Sequence, residues 1–183
     1  MSEGLASRIV RLHAALDGAA LPHAFGGALA LAFCTEDPRG TKDIDVNVFI
    51  GVDRVDELVD ALPPGIEVTE VHRLQLARDG QARLWWDTTP VDVFLSNHPF
   101  HDHAEASTRR VPFGDVAELP VLSCADLAVF KAFFARPKDA IDVAAMVVTG
   151  AVDRTALERT VTAMLGEGER DRFFARVDDA LAG

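Results

Sequence analysis

The segment TKDIDVNVFI, residues 41–50, is the most informative part of the sequence because it combines a strand pattern with two closely spaced carboxylates. Successive side chains of a β-strand point to opposite faces. One face of this strand therefore carries Asp43, Asp45 and Asn47. The other face is entirely apolar and carries Ile44, Val46, Val48 and Ile50. The alternation predicts a strand with one core face and one acidic face.

A second strand with the same character is predicted at TPVDVFLS, residues 89–96. Here Asp92 lies on the polar face, and its neighbours Val91 and Val93 lie on the core face. If this strand lies beside the first, Asp92 joins Asp43 and Asp45 on one surface. The spacing therefore predicts a cluster of three carboxylates, although an Asp-x-Asp pair alone is also common on solvated strands.

Such a cluster needs positive charge. Two carboxylates about 4 Å apart repel each other by roughly 4 kcal/mol at an effective dielectric constant of about 20. Oxygen ligands of this type suit Mg²⁺ or Mn²⁺, and a pair of such ions can activate a hydroxyl and neutralise a phosphoryl group. We therefore expect a divalent metal among the aspartates.

The segment AFGGALAL, residues 24–31, precedes the acidic strand and predicts a strand, a glycine turn and a helix. Backbone N–H groups of Gly26 and Gly27 at a helix N-terminus can bind phosphate. The alternative is a tight turn that serves only close helix packing. The glycine pair gains weight from the aspartates that follow it.

The ordered set FGGALAL, KDIDV and VDV resembles the nucleotidyltransferase superfamily of the DNA polymerase β type. Within it, the downstream segment KAFFARPKDAIDVAAM makes the chain similar to abortive-infection (AbiEii-like) type IV toxin nucleotidyltransferases. The resemblance covers residues 22–147. It implies an α/β (α+β) fold, in which a mixed β-sheet with helices on one face is followed by a helical C-terminal part.

The resemblance also implies roles for individual residues. Gly26 and Gly27 correspond to the triphosphate-binding turn, Asp43 and Asp45 to metal ligands, and Asp92 to a third ligand or general base. The family often has a hydroxyl residue after the glycines, whereas this chain has Ala28. Any phosphate contact there must therefore come from the backbone.

Several charged residues are secondary candidates for nucleotide binding. Arg39 and Lys42 flank the aspartates. They either contact the phosphates of a nucleotide or act only as counter-charges for the aspartates. Lys131 and Asp139 match the lysine-containing helix and the K-D-x-x-D element of the toxin group. Their structural alternatives are a lysine stem beside phenylalanines and an acid favourable at a helix start.

The remaining pattern divides the chain into a nucleotidyltransferase-like core at residues 1–120 and a helical C-terminal subdomain at 121–183, expected to form one unit. Helices are predicted after Ser123, Pro137 and Asp153. The middle is predicted to be rich in β-strands, with IEVTEVHRLQLA as a strand and RDGQ as a hairpin turn.

Composition narrows the possible partners. The formal net charge of -11 disfavours broad nucleic-acid binding, which relies on many Lys and Arg contacts to phosphates. No apolar run reaches the roughly 18 residues of a membrane span, and we expect a cytoplasmic protein. Cys34 and Cys124 fit neither a disulfide framework nor a metal pair and are expected to be buried thiols. The segment His98–His103 suggests zinc or, as the favoured alternative, a solvated loop.

Three functions are compatible with the sequence. The leading hypothesis is transfer of a nucleoside monophosphate from an NTP to a hydroxyl acceptor, with the resemblance implying tRNA as acceptor and a cognate antitoxin as partner. The second is modification of an aminoglycoside- or lincosamide-like antibiotic, since an acidic cleft attracts a cation. The third is a non-catalytic module that binds a nucleotide or a partner.

Overall fold

The computed structural model describes residues 4–38, 40–114 and 117–182. They form two compact units, the first spanning Met1–Leu29 and Gly40–Leu122 and the second spanning Ala30–Arg39 and Ser123–Gly183, each over its described residues. None of the described helices is long and apolar enough to cross a membrane.

The first unit is built on a mixed sheet of seven strands in the order β3-β4-β5-β2-β1-β7-β6. In chain order the strands are β1 His23–Phe25, β2 Ile44–Gly51, β3 Ile66–Glu67, β4 Gln81–Trp86, β5 Thr89–Ser96, β6 Arg109–Phe113 and β7 Ala117–Val121. Strand β2 runs parallel to β5 and antiparallel to β1, so the predicted neighbourhood of the two acidic strands is confirmed.

The helices associated with these strands are α1 Leu5–Gly18, α3 Val55–Ala61, α4 Glu70–Asp79 and α5 Phe100–Ala106. Helix α2, Gly27–Thr35, begins directly after β1 and continues into the second unit. On the predicted core face, Ile44 and Val46 of β2 and Val91 and Val93 of β5 are each at most 2% exposed. The core face predicted from alternation is therefore buried.

The second unit is helical and contains α6 Cys124–Phe134, α7 Pro137–Val148, α8 Arg154–Leu165 and α9 Glu167–Ala182. Ser123 and Asp153 cap α6 and α8 by accepting hydrogen bonds from backbone N–H groups, and Pro137 lies in the first turn of α7. These are the helix starts that the sequence predicts. The mixed sheet and helical C-terminal part confirm the predicted fold class.

The predicted strand at residues 66–77 is wrong beyond its first two residues, because α4 occupies most of it. Thr69 and His72 form a reciprocal capping box that begins the helix. Gly80 ends it in a left-handed conformation, with φ +68°, so the Asp79-Gly80 pair terminates a helix and does not form a hairpin turn. Local capping outweighed the β-branched residues of the segment.

The prediction for the two cysteines is also wrong. Cys34 of α2 and Cys124 of α6 form a disulfide within the second unit, with their Cα atoms 5.6 Å apart. They are 90 residues apart in the chain, so sequence spacing gave no sign of the pairing. The helix packing that makes the two residues neighbours is a long-range property.

The expected loop at the histidine-rich segment is wrong in part, since Phe100–Ala106 forms helix α5. His101 is buried, and its Nδ1 lies 3.0 Å from the carbonyl oxygen of His98. No group of three His, Cys, Asp or Glu residues in the described ranges is arranged to hold a metal ion. A zinc site in this segment is therefore not supported.

Candidate active site

The candidate active site lies on the polar face of three adjacent strands in the first unit. Asp45 of β2 is in register with Asp92 of β5, and Asp92 is in register with Arg83 of β4. Side chains of residues paired across strands point to the same face. The register therefore places two aspartates and an arginine in one row across the sheet.

Asp43 completes the acidic group from just before the start of β2. One nitrogen of Arg83, Nη2, lies 2.6 Å from Oδ2 of Asp92 and 3.6 Å from Oδ2 of Asp43. The Thr41 hydroxyl accepts a hydrogen bond from the Asp43 N–H, at 3.2 Å, and helps to set the backbone there. We call Asp43, Asp45 and Asp92 the aspartate cluster.

Arg83 is the residue that the sequence reasoning missed. Its guanidinium donates two parallel hydrogen bonds to Asp92, with Nε–Oδ1 at 2.7 Å and Nη2–Oδ2 at 2.6 Å. These hydrogen bonds and the charge of Asp92, followed by the charges of Asp43 and Asp45, raise the pKa of Arg83. Alternation on β4 puts Arg83 on the polar face, but only the register of β4 against β5 shows its partner.

The glycine pair lies directly against the aspartate cluster. Gly27 has φ +52°, and a Cβ atom built on it would lie 1.9 Å from Oδ2 of Asp45. A side chain at this position would therefore displace the carboxylate. The N–H of Gly26 donates to the carbonyl oxygen of Asp45 at 2.9 Å, so this group is used in backbone pairing. The predicted turn is present, but the Gly26 N–H is already hydrogen-bonded to the neighbouring strand and is not available to bind a phosphate.

The oxygen chemistry of the aspartate cluster fits a divalent ion such as Mg²⁺ or Mn²⁺. Two observations support the fit: a cation, the Arg83 guanidinium, already bridges Asp92 and Asp43, and only glycine at position 27 leaves room for the Asp45 carboxylate. As they stand, the carboxylates do not form a preformed three-ligand group among the described residues.

The secondary candidates are distributed differently. Lys42 is exposed next to Asp43, and Arg39 lies outside the described residues. Lys131 and Asp139 belong to the second unit, where the Lys131 ammonium lies 3.3 Å from Asp139 and 2.6 Å from Asp142. All three side chains of this ion-pair cluster are less than 10% exposed. Mutual pairing explains them structurally, and their nucleotide-binding role stays a prediction.

Arg136 adds a further contact to the buried acid. Its Nε donates to Oδ2 of Asp139 at 2.7 Å. Burial disfavours the ionised form of Asp139, but the Arg136 hydrogen bond and the Lys131 charge outweigh it and hold the pKa below its usual value. The Asp139 carboxylate is therefore ionised and compensated within its own unit.

Comparison with solved structures shows the fold. The structure of the antibiotic-resistance factor ANT(2'')-Ia is similar with a TM-score of 0.53 and 18% identity, over 97% of this chain and 92% of that chain. A nucleotidyltransferase-like antigenic protein from Paracoccidioides brasiliensis is similar with a TM-score of 0.54 and 15% identity, over 95% and 92% of the two chains.

No family model matches the chain, and no curated protein does. At these identities the structural similarity establishes a nucleotidyltransferase-like fold, which is shared with nucleotidyltransferase enzymes. A fold of this kind hosts more than one function, so the activity must be argued from the site.

Proposed function

We propose that the protein is a metal-dependent nucleotidyltransferase that transfers a nucleoside monophosphate from an NTP to a hydroxyl acceptor. The observation that supports this function is the row across β2, β5 and β4, in which Asp45 and Asp92 are in register beside the Gly27 turn. Strand alternation predicts this polar face, and the family resemblance implies that its aspartates bind metal. The nucleotidyltransferase-like fold provides independent support.

In this proposal Asp43 and Asp45 would hold Mg²⁺ or Mn²⁺, with Asp92 as a third ligand or as general base. When bound, the ion would neutralise negative charge on the phosphates of the NTP. The acceptor oxygen forms a bond to the α-phosphorus, the bond to the β-phosphate bridge breaks, and pyrophosphate leaves. Asp92, when it acts as base, takes the proton from the acceptor hydroxyl.

The acceptor is proposed from the family resemblance to be an RNA such as tRNA, in a toxin that has a cognate antitoxin. A cationic antibiotic of the aminoglycoside type is the second candidate. The net charge of -11 and the acidic sheet face favour it, because an acidic cleft attracts a cation. The lincosamide-like substrate of the sequence analysis belongs to the same small-molecule class.

A non-catalytic nucleotide- or partner-binding module is the third candidate. The observation that favours it is the bidentate pair between Arg83 and Asp92, which occupies both oxygens of the carboxylate proposed as ligand or base. All three aspartates are nevertheless present, which is unexpected for a module that has lost turnover.

The test is incubation with each α-labelled NTP, Mg²⁺ or Mn²⁺, and either bulk tRNA or a panel of aminoglycosides and lincosamides. Label on RNA supports the toxin-type function, and label on an antibiotic supports the resistance-type function. Asp45→Asn should abolish either transfer, whereas Asp60→Asn, an exposed acid on α3, should leave it unchanged. Bound nucleotide without any transfer would support the third candidate, the non-catalytic binding module.

Expression in a bacterial host separates the first two candidates further. A toxin slows growth in the wild-type form and not as Asp45→Asn, and a cognate antitoxin restores growth. A resistance enzyme instead raises the antibiotic concentration that the host survives.

A further inference from the structure

Arg83 forms ion pairs with two of the proposed catalytic aspartates, Asp92 and Asp43, and the proposed reaction does not use it. It lies at the middle of β4, directly across from Asp92. Its side chain is 52% exposed, and that of Asp92 is 16% exposed. The guanidinium therefore lies on the open side of the aspartate cluster.

The contacts of Arg83 use the oxygen atoms that a metal would need. Both carboxylate oxygens of Asp92 accept a hydrogen bond from it, and Nη2 also lies 3.6 Å from Oδ2 of Asp43. A divalent ion of the kind proposed requires carboxylate lone pairs of its own at 2.0–2.1 Å for Mg²⁺. The guanidinium and the ion therefore compete for the same oxygens.

The same contacts also cover the group that is proposed to meet the acceptor hydroxyl. Arg83 occupies both carboxylate oxygens of Asp92 with two parallel hydrogen bonds. An acceptor hydroxyl that approaches these oxygens therefore meets the guanidinium first. One movement of one side chain thus opens both the metal-ligand position and the approach to Asp92.

Exposure makes this movement feasible. The Lys131 side chain of the second unit is only 7% exposed, so moving its ammonium away would remove a charge that compensates buried carboxylates. Arg83 can instead rotate into water, where its charge is solvated. An exposed pair of this type is worth at most about fivefold in an equilibrium constant.

We propose that Arg83 is a built-in counter-cation of the aspartate cluster, which occupies it in the metal-free state and must leave before a divalent ion binds. This regulation rests on the proposed function, since it assumes that the cluster binds a metal. Arg83 therefore weakens metal binding and prevents the metal-free cluster from repelling itself.

The experiment measures Mn²⁺ binding by electron paramagnetic resonance and by calorimetry, without nucleotide. Arg83→Gln should bind Mn²⁺ about fivefold more tightly than the wild type, and Arg83→Lys should lie between them. Arg78→Gln is the matched control, because Arg78 makes the same two bonds to Asp79, at 2.7 and 2.6 Å, on an exposed surface. It should bind like the wild type.

A second measurement follows Arg83 itself. Its Nε–H resonance, assigned by its loss in Arg83→Gln, should shift toward that of a solvated arginine as Mg²⁺ is added, while the Arg78 resonance stays in place. Circular dichroism of each variant in the absence of metal checks that the fold is retained.

The outcomes separate the two proposals. Unchanged or weaker Mn²⁺ binding by Arg83→Gln overturns the role of Arg83, and the metal site itself stands if Asp45→Asn abolishes the binding. If neither the wild type nor Arg83→Gln binds Mn²⁺, both the role of Arg83 and the proposed metal-dependent function are overturned. Tighter binding by Arg83→Gln that requires Asp45 supports both.

Discussion

Replacing Gly27 by alanine tests whether the glycine turn and the aspartate cluster act together. The new Cβ would lie 1.9 Å from Oδ2 of Asp45, whereas an ordinary contact begins at 3.4 Å. The oxygen must therefore move by about 1.5 Å, while metal–ligand distances vary by only about 0.2 Å. Asp45 can no longer keep the ligand position that Gly27 leaves open.

We expect Gly27→Ala to weaken Mn²⁺ binding by at least tenfold, because even loss of a residue that orients a ligand costs about 10–100-fold. The left-handed backbone, with φ +52°, should also cost about 1–2 kcal/mol of stability. Calorimetry with Mn²⁺ measures the first effect, and urea unfolding followed by circular dichroism measures the second.

Gly150→Ala is the matched control. Gly150 has φ +72°, but its added Cβ would meet nothing within 4 Å, and it lies in the second unit. Its loss of stability should be similar, with Mn²⁺ binding unchanged. Wild-type Mn²⁺ affinity in Gly27→Ala would refute the argument that the turn positions Asp45.

Reducing the Cys34–Cys124 disulfide should lower the free energy of unfolding, measured in urea, by about 2–4 kcal/mol. The reason is that the bond closes a long loop, since the two cysteines lie 90 residues apart. A reductant should not change the stability of the double variant Cys34→Ala/Cys124→Ala. Lys131→Met should cost about 3–5 kcal/mol, because it removes the ammonium that compensates two buried carboxylates. Equal stability of Lys131→Met and of exposed Lys138→Met would contradict this. Burial lowers the pKa of His23, so the unfolded chain takes up its proton first and stability should fall as pH drops below about 6.5. Melting temperatures at pH 7.5 and 5.5 should differ less for His23→Gln, and an unaltered difference would assign the effect to other groups.

Several features of the site follow from local pattern. Period-two alternation places Asp45 and Asp92 opposite buried valines, since one face of each strand must enter the core. The Gly26-Gly27 pair predicts a turn between a strand and a helix, and β1 and α2 confirm it. Helix starts at Ser123 and Pro137 also follow from local capping chemistry.

Other features depend on which segments become neighbours. At residues 70–79, a capping box at Thr69 produced a helix where β-branched residues had indicated a strand. Strands β6 and β7 were not predicted at all, because they are strands through their pairing: β6 pairs with β7, and β7 pairs with β1. Pairing partners are a property of the whole sheet.

Alternation along each strand is enough to predict that Asp43, Asp45 and Asp92 lie on polar faces, since it is a local consequence of strand geometry. The register of Asp92 with both Asp45 and Arg83 could not be predicted in this way, because register depends on how separate strands align. The same holds for the disulfide, whose cysteines become neighbours only through helix packing. Sequence pattern predicted the charges of the site, and strand register supplied the cation that neutralises them.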